Sequence, residues 1–263
     1  MTLEDIAKIE GCSRRTVITG LGAGALSVLA AGLPGSALGA ITKPLQDVTD
    51  ADILTFALNL EYLEAEFYLY ATTGRGLGSH DTDGVGRSGA TTGGKRVPFS
   101  NDQLRRTAEE ICADEVAHVR FLRSALGKGA VAKPEINLAA LKVGFGSDAE
   151  FIAVARAFED VGVSAYRGAA RLITNKDYLD AAAGILSTEA YHAGNIRAHA
   201  IYGNYQSPKL DGKDQPPSNT NSIPTDKNGI VVGRTVAEVG MIVRGPDASG
   251  GAFLPNGMNG KIK

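Results

Sequence analysis

Residues 187–199, STEAYHAGNIRAH, place Glu189 and His192 three positions apart in a segment that otherwise has the spacing of a buried helix. Side chains three positions apart on a helix point the same way. A second segment, ADEVAHVR, repeats the pair as Glu115 and His118. Both pairs lie on the apolar stripe of their segment, which is the side that faces a protein core. Because the chain has four histidines in all, this repetition indicates a polar site inside the core.

Four segments have helical periodicity, with an apolar residue every three or four positions. They run from Asp50, a candidate N-cap, to about Thr72; from Ser100 or Asn101 to about Leu126; from Ser147 or Asp148 to about Thr174; and from the Asn175–Lys176 turn to about Tyr202. Helices of this length predict an all-α four-helix bundle. The link from Lys128 to Ser147 can extend for roughly 60 Å, whereas a helix of about 25 residues is roughly 37 Å long. The link can therefore cross the bundle end to end and let helices two and three run parallel; within it, Ile136–Leu138 has the pattern of a short strand.

Two other segments lack this periodicity. Residues 74–99 are rich in Gly, Ser and Thr, and a loop of this length inside a domain predicts a mobile segment or a lid. Beyond Gly203 the composition shifts to Pro, Asn, Gly and Lys, with one short helical pattern from Thr235 to Arg244. This part is too polar to form a second core. We therefore expect a bundle over residues 48–203 and an irregular extension, residues 204–263, that packs on it.

The first forty residues have the features of an export signal. Arg14 and Arg15 precede an uncharged stretch, residues 17–40, that is rich in Gly and Ala and contains Pro34. Residues 1–40 resemble a twin-arginine signal peptide, which implies export of the folded protein by the twin-arginine machinery to the periplasm or another extracytoplasmic site. A membrane anchor is the alternative, but the glycines and the proline favour cleavage, within about residues 37–41.

Composition excludes one class of partner. The formal net charge is -2 and the isoelectric point is about 6.1, without a run of Lys or Arg. Nucleic-acid binding needs a basic surface, so no nucleic-acid partner is expected. The glycine-rich stretches also lack the strand-turn-helix context of a phosphate-binding loop.

Each predicted helix carries a glutamate on its apolar stripe, and ionised carboxylates in a core are unfavourable unless cations neutralise them. Two divalent metal ions supply that neutralisation. Each ion would take a histidine, a terminal carboxylate and shared bridging carboxylates. Nitrogen and oxygen donors suit iron or manganese, with zinc as an alternative. The predicted ligands are Glu61, Glu115, His118, Glu159, Glu189 and His192.

Four other glutamates fit solvated or rim positions better: Glu64, Glu66, Glu109 and Glu110. Glu64 is a fallback ligand, because it lies only about 60° around the helix from Glu61.

Single residues elsewhere are assigned structural roles. Cleavage of the signal would remove Cys12 and leave Cys112 as the one cysteine, without an intramolecular disulfide. We interpret Cys112 as a small buried hydrophobe. His199 is expected at a helix end and His80 in an exposed loop.

Glu61 closes the tripeptide NLE and is followed seven residues on by Tyr68, and Glu159 with Tyr166 repeats this spacing. These segments resemble the ferritin-like superfamily, and the resemblance covers about residues 48–203. It implies a bundle with a crossover between helices two and three, terminal-ligand glutamates, and Tyr68 and Tyr166 near the site, either as hydrogen-bond donors or redox relays or as plain packing. The two halves also resemble an internal duplication.

The C-terminal segments GRTVAEVGMIVRG and GGAFLPNGMNG resemble the desiccation-related subgroup of ferritin-like proteins. This resemblance implies a stress context without bringing a settled reaction with it.

Three functions follow as hypotheses. The first is an exported dimetal protein that reacts with dioxygen or peroxide, oxidising Fe(II) or removing peroxide in stress protection. The second is a non-enzymatic stress protein whose metals only stabilise the bundle. The third, an iron store, needs a closed shell of subunits, and the long loop and tail argue against it. A homo-oligomer of another kind stays open.

Overall fold

The computed structural model describes residues 48–207, 209–244 and 252–262, so the predicted signal peptide and Cys12 lie outside the described residues. The described part is an all-α bundle, as predicted. Its α-helices are α1 (Asp50–Thr73), α2 (Asp102–Leu126), α3 (Asp148–Ala170), α4 (Lys176–Tyr202) and α5 (Val236–Arg244). Two short strands, β1 (Thr91–Thr92) and β2 (Ile136–Asn137), pair in parallel. Of the helices described, none is long and apolar enough to cross a membrane.

Side-chain caps define the ends of the bundle helices. Thr49 caps α1 in a capping box with Asp52, one position before the predicted cap. The carboxylate of Asp50 instead accepts hydrogen bonds from the backbone N–H groups of Thr174 and Asn175, 2.9 and 2.8 Å away. These bonds hold Thr174 in the turn between α3 and α4, so α3 ends at Ala170, four residues before the predicted end.

Contacts between the helices give their directions. Tyr62 of α1 accepts a hydrogen bond from Arg123 of α2, and Thr72, farther along α1, lies beside Cys112, nearer the start of α2. These two helices are therefore antiparallel. Tyr68 of α1 bonds to Glu159 of α3, and Tyr166, farther along α3, bonds to Glu61, nearer the start of α1. Helix α3 is therefore antiparallel to α1 as well, so α2 and α3 run parallel and the predicted crossover is confirmed.

The long loop after α1 is bonded to the crossover. Val85 N–H donates to the Ala130 carbonyl and Lys133 N–H to the Thr82 carbonyl, ahead of the β1–β2 pair. The close approach depends on glycine, since a Cβ on Gly89 would lie 2.3 Å from the backbone nitrogen of Glu135. The small residues of this loop, which suggested a mobile segment or a lid, thus allow its backbone to pair with the crossover.

The described part of the C-terminal extension packs on the bundle, with hydrogen bonds to α1 and α3 among its contacts. The side-chain amide of Asn59 in α1 donates to the Asn259 carbonyl at 3.0 Å and its oxygen accepts from Asn259 N–H at 2.9 Å. The backbone N–H of Arg234 donates to the Ser164 carbonyl of α3. A Cβ on Gly168 would lie 1.8 Å from the Arg234 carbonyl oxygen, so this glycine admits the extension. Residues 233–245 and 250–260 include the extension's side of these contacts.

Candidate metal centre

The six predicted ligand residues lie together in the middle of the bundle. One group of possible ligand atoms comes from Glu61, Glu115, His118 and Glu189; the other comes from Glu115, Glu159, Glu189 and His192. Within each group the atoms all lie within 4.8 Å of one another. Glu115 and Glu189 belong to both groups, so their carboxylates would lie between two metal positions if each group held an ion.

The two halves of the centre are similar in geometry. His118 Nδ1 lies 3.2 Å from Glu61 Oε2 and 3.4 Å from Glu189 Oε1. In the other half, His192 Nδ1 lies 3.0 Å from a Glu115 oxygen, Oε1. The side chains of the four ligand glutamates are fully buried and the two histidines are nearly so. Each histidine thus faces carboxylates from its own half and from the bridge.

The buried polar atoms that lack a hydrogen-bond partner test whether a metal fits here. Among the described residues these atoms include His118 Nδ1, His192 Nδ1, both carboxylate oxygens of Glu115 and of Glu189, and one oxygen each of Glu61 and Glu159. Unpaired buried carboxylates and ring nitrogens are strongly unfavourable unless something binds them. These atoms include the ones that bound divalent ions would need as ligands; Glu64 Oε2, Glu66 Oε2 and Asp160 Oδ1 are also unpaired. The donor set therefore fits bound metal ions.

Two tyrosines orient the terminal glutamates. Tyr166 of α3 donates its hydroxyl hydrogen to Glu61 Oε1 at 2.5 Å, and Tyr68 of α1 donates to Glu159 Oε1. Each tyrosine therefore holds the glutamate of the opposite half and leaves that glutamate's second oxygen facing the centre. Burial and the neighbouring carboxylates raise the pKa of both tyrosines well above the usual value, so the hydroxyls stay protonated donors.

Without metal, protons carry the positive charge of the centre. Burial, followed by repulsion from Glu61, raises the pKa of Glu115 to about 7. Burial also raises the pKa of Glu189 well above its usual value. For His192, burial alone would lower the pKa, but the neighbouring carboxylates of Glu115 and Glu159 raise it to about 11. Binding of metal ions would displace these protons.

Glu64 and Glu66 lie in the interior, 4% and 2% exposed, so the expectation of solvated or rim positions is wrong. The cause is that α1 is covered on every side by the other helices, the loop and the C-terminal extension. Glu64 reaches the centre: a Cβ on Gly162 would lie 3.1 Å from Glu64 Oε1 and 2.5 Å from Glu189 Oε2. Burial raises the pKa of Glu64 well above its usual value, with repulsion from Glu189 next in size. Glu109 and Glu110 are exposed, as expected.

Asp114 is a polar neighbour of the centre that the sequence reasoning missed. Its Oδ2 lies 3.1 Å from His192 Nε2, the ring nitrogen opposite the one that faces the carboxylates. Such a partner fixes the tautomer of a ligand histidine. The sequence signal that could have identified it is that Asp114 directly precedes the predicted ligand Glu115. The residue before Glu189 is Thr188, whose hydroxyl donates to the Gly184 carbonyl, so the two halves differ here.

The remaining candidates lie outside the centre. Cys112 is buried beside the Thr72 hydroxyl, as a small hydrophobe would be. His199 pairs with Thr107 near the end of α4, with its Nε2 3.2 Å from the hydroxyl oxygen. His80 is exposed in a short 3-10 helix of the loop.

The family described as the ferritin-like domain matches residues 49–201, more than half of the chain. A search of curated proteins gives no match.

Proposed function

This chain belongs to the ferritin-like domain family, and we propose that it is an exported dimetal carboxylate protein. In this proposal the ions are iron or manganese, and the protein oxidises Fe(II) with dioxygen or removes peroxide. The unpaired donor atoms of the centre carry the proposal, because they form two overlapping sets of four ligand residues.

The ligand count favours reactivity. Each set offers one imidazole and three carboxylates, whereas hard oxygen-bound ions such as manganese favour six donors. Bound iron or manganese would supply a redox couple with open positions for an oxidant. The protein side chains would bind the ions and exclude bulk water from the buried centre. The two tyrosine hydroxyls would keep their protons and donate hydrogen bonds to the terminal glutamates.

The setting of this chemistry is also a proposal. The twin-arginine pattern of residues 1–40 supports export by that machinery and a periplasmic or otherwise extracytoplasmic location. The two C-terminal segments support a desiccation or stress context. Export of a folded chain would let the ions bind before translocation, and a homo-oligomer is compatible with this role.

A structural role is the second candidate. Complete burial of the four ligand glutamates favours it, because a closed shell of ligands holds a fold together without admitting a substrate. In that case the ions would stabilise the bundle and leave oxidants unreacted.

Single-turnover oxidation separates the two candidates. The full chain is loaded with Fe(II) without oxygen and then exposed to dioxygen or to hydrogen peroxide, and oxidation is followed by absorbance. We expect oxidation far faster than in buffer, with two Fe(II) consumed per hydrogen peroxide. A Glu109→Gln/Glu110→Gln variant, altered only at exposed positions, should match the wild type. Loaded iron that raises the melting temperature yet oxidises no faster than free iron would support the structural role.

A further inference from the structure

An apolar pocket lies next to the metal centre, between α1, α3 and the start of α4. It has a volume of ≈ 20 Å³, and apart from Tyr166 every side chain that lines it is a hydrocarbon. Its walls include Leu54, Ala57, Leu60, Ala165, Tyr166 and Ala169.

One residue of the pocket wall contacts a predicted ligand. Tyr166 forms part of the wall, and its hydroxyl donates to Glu61 Oε1 at 2.5 Å. Leu60, another wall residue, directly precedes Glu61 in α1. A molecule in the pocket would therefore lie against the residues that hold one end of the centre.

The lining does not suit water. The volume would admit one small molecule, since one water requires roughly 10–15 Å³, but a buried water needs two to four polar partners. The nearest polar group in the lining is the Tyr166 hydroxyl, which already donates to Glu61. Apolar cavities of this kind stay dry and take up apolar molecules such as xenon.

We infer that the pocket is a binding site for dioxygen beside the metal centre. Dioxygen is small, apolar and uncharged, so it loses no hydrogen bonds on entering. Hydrogen peroxide would leave its hydroxyl groups without partners in this lining, which costs free energy. The use of the bound gas rests on the proposed function, whereas the binding itself does not. On this basis dioxygen is the oxidant that this side of the centre selects.

Dioxygen is paramagnetic, so it can be located without any reaction. The full chain is loaded with zinc, which has no redox chemistry, and is labelled at Ala, Ile and Leu methyl groups. Under dioxygen pressure we expect enhanced NMR relaxation of the methyl groups of Leu54, Ala57 and Ala169, compared with the buried Leu104 and Leu122 of α2, which lie outside the lining. Equal relaxation at all of these methyl groups would overturn the inference.

A matched pair of variants tests the site further. Ala169→Leu fills the pocket, and Ala153→Leu places the same side chain at another position of α3, with 9% exposure against 8%, outside the lining. Ala169→Leu should abolish the enhanced relaxation and raise the KM for dioxygen several-fold without changing peroxide-driven oxidation, and Ala153→Leu should do neither. Unchanged relaxation of the pocket methyl groups in Ala169→Leu would overturn the inference.

The result distinguishes the two proposals. Enhanced relaxation at the pocket in a wild type that oxidises no Fe(II) supports the binding site and removes the proposed function. Normal oxidation with uniform relaxation removes the binding site and leaves the proposed function.

Discussion

Two buried polar clusters use adjacent residues of α3. Glu159 belongs to the metal centre, while the next residue, Asp160, belongs to an arginine cluster formed with Arg156, Arg197 and Asp214. Both clusters place carboxylates inside the protein, but they differ in what neutralises the charge.

The arginine cluster is neutralised by the chain itself. Arg156 Nη1 lies 2.7 Å from Asp214 Oδ1, and Arg197 Nη1 lies 2.7 Å from Asp160 Oδ2. Two arginines thus face two aspartates, and Arg197 also donates to the backbone carbonyls of Gln215, Asn221 and Ser222 in the extension.

In the metal centre, five buried glutamates, including Glu64, meet two histidines. Seven of their oxygens lack a hydrogen-bond partner in the described part of the chain, against one oxygen, Asp160 Oδ1, in the arginine cluster. A buried charge is tolerated only when it is paired. The comparison therefore indicates that the centre is built for cations that the chain does not supply.

Breaking the arginine cluster should have the largest effect on stability. Arg197→Ala removes the nearer arginine from the buried Asp160 carboxylate, leaves Arg156 Nη1 3.5 Å away, and releases the extension. We therefore expect a loss of about 3–5 kcal/mol in the free energy of unfolding. Urea titration measures it. Arg106→Ala removes an exposed ion pair with Asp102 and should cost less than about 1 kcal/mol. Equal losses in both variants would contradict the comparison.

The metal-free centre should make stability depend on pH. Between the usual pKa of Glu115, 4.5, and its raised pKa, about 7, the folded chain holds a proton that the unfolded chain has released. Raising the pH through this range therefore favours unfolding, by roughly 1–3 kcal/mol. His192 acts in the same direction between 6.5 and about 11. Thermal unfolding of chelator-treated protein should show this slope, and excess metal should remove it; a metal-free protein that becomes more stable over this range would refute the account.

A methyl group placed against the bridge should weaken metal binding without unfolding the chain. In Gly162→Ala the new Cβ would lie 2.5 Å from Glu189 Oε2, so the bridging carboxylate must move. We expect metal affinity to fall roughly 10–100-fold, as it does when a ligand loses its support. Gly184→Ala is the control, because its Cβ meets nothing within 4 Å, and it should stabilise α4 by about 0.5–1 kcal/mol. Competition titration with a metal indicator measures both affinities.

The difference between Asp114 and Thr188 should affect the binding of one ion only, and by less than the Gly162→Ala substitution. Asp114→Asn weakens the partner of His192 Nε2, so we expect the affinity of one ion to fall about 10-fold and that of the other to stay unchanged. Thr188→Ala, the counterpart substitution beside Glu189, should leave both affinities as they are. A two-site calorimetric titration resolves the two ions, and an equal loss at both would argue against separate roles.

The helices and the grouping of the six candidate ligands could be predicted from the sequence, because both depend on local patterns. Helical periodicity gives the facing side of each helix, and caps such as Asn101 and Ser147 give the beginnings. A Glu and a His three positions apart must then share a face. Only the distant bond from Asp50 to the turn before α4 shifted the end of α3.

The parts that were missed depend on contacts between distant segments. Glu66 looked solvated because its burial results from the loop after α1, whose Leu77 N–H donates to its carboxylate. Arg156 and Arg197 are fully buried or nearly so, yet an arginine in a helical segment usually indicates an exposed face. Their partners become visible only once the extension is placed.

Metal content is the most direct test of the central claim. The mature protein, purified by its own export route and loaded with iron or manganese, is analysed by mass spectrometry beside Glu115→Gln/Glu189→Gln and the exposed control Glu109→Gln/Glu110→Gln. We predict close to two ions per chain in the wild type and the control, and almost none in the bridge variant, because both ions share those carboxylates. A wild type without metal, or a bridge variant with as much metal as the wild type, would contradict the account.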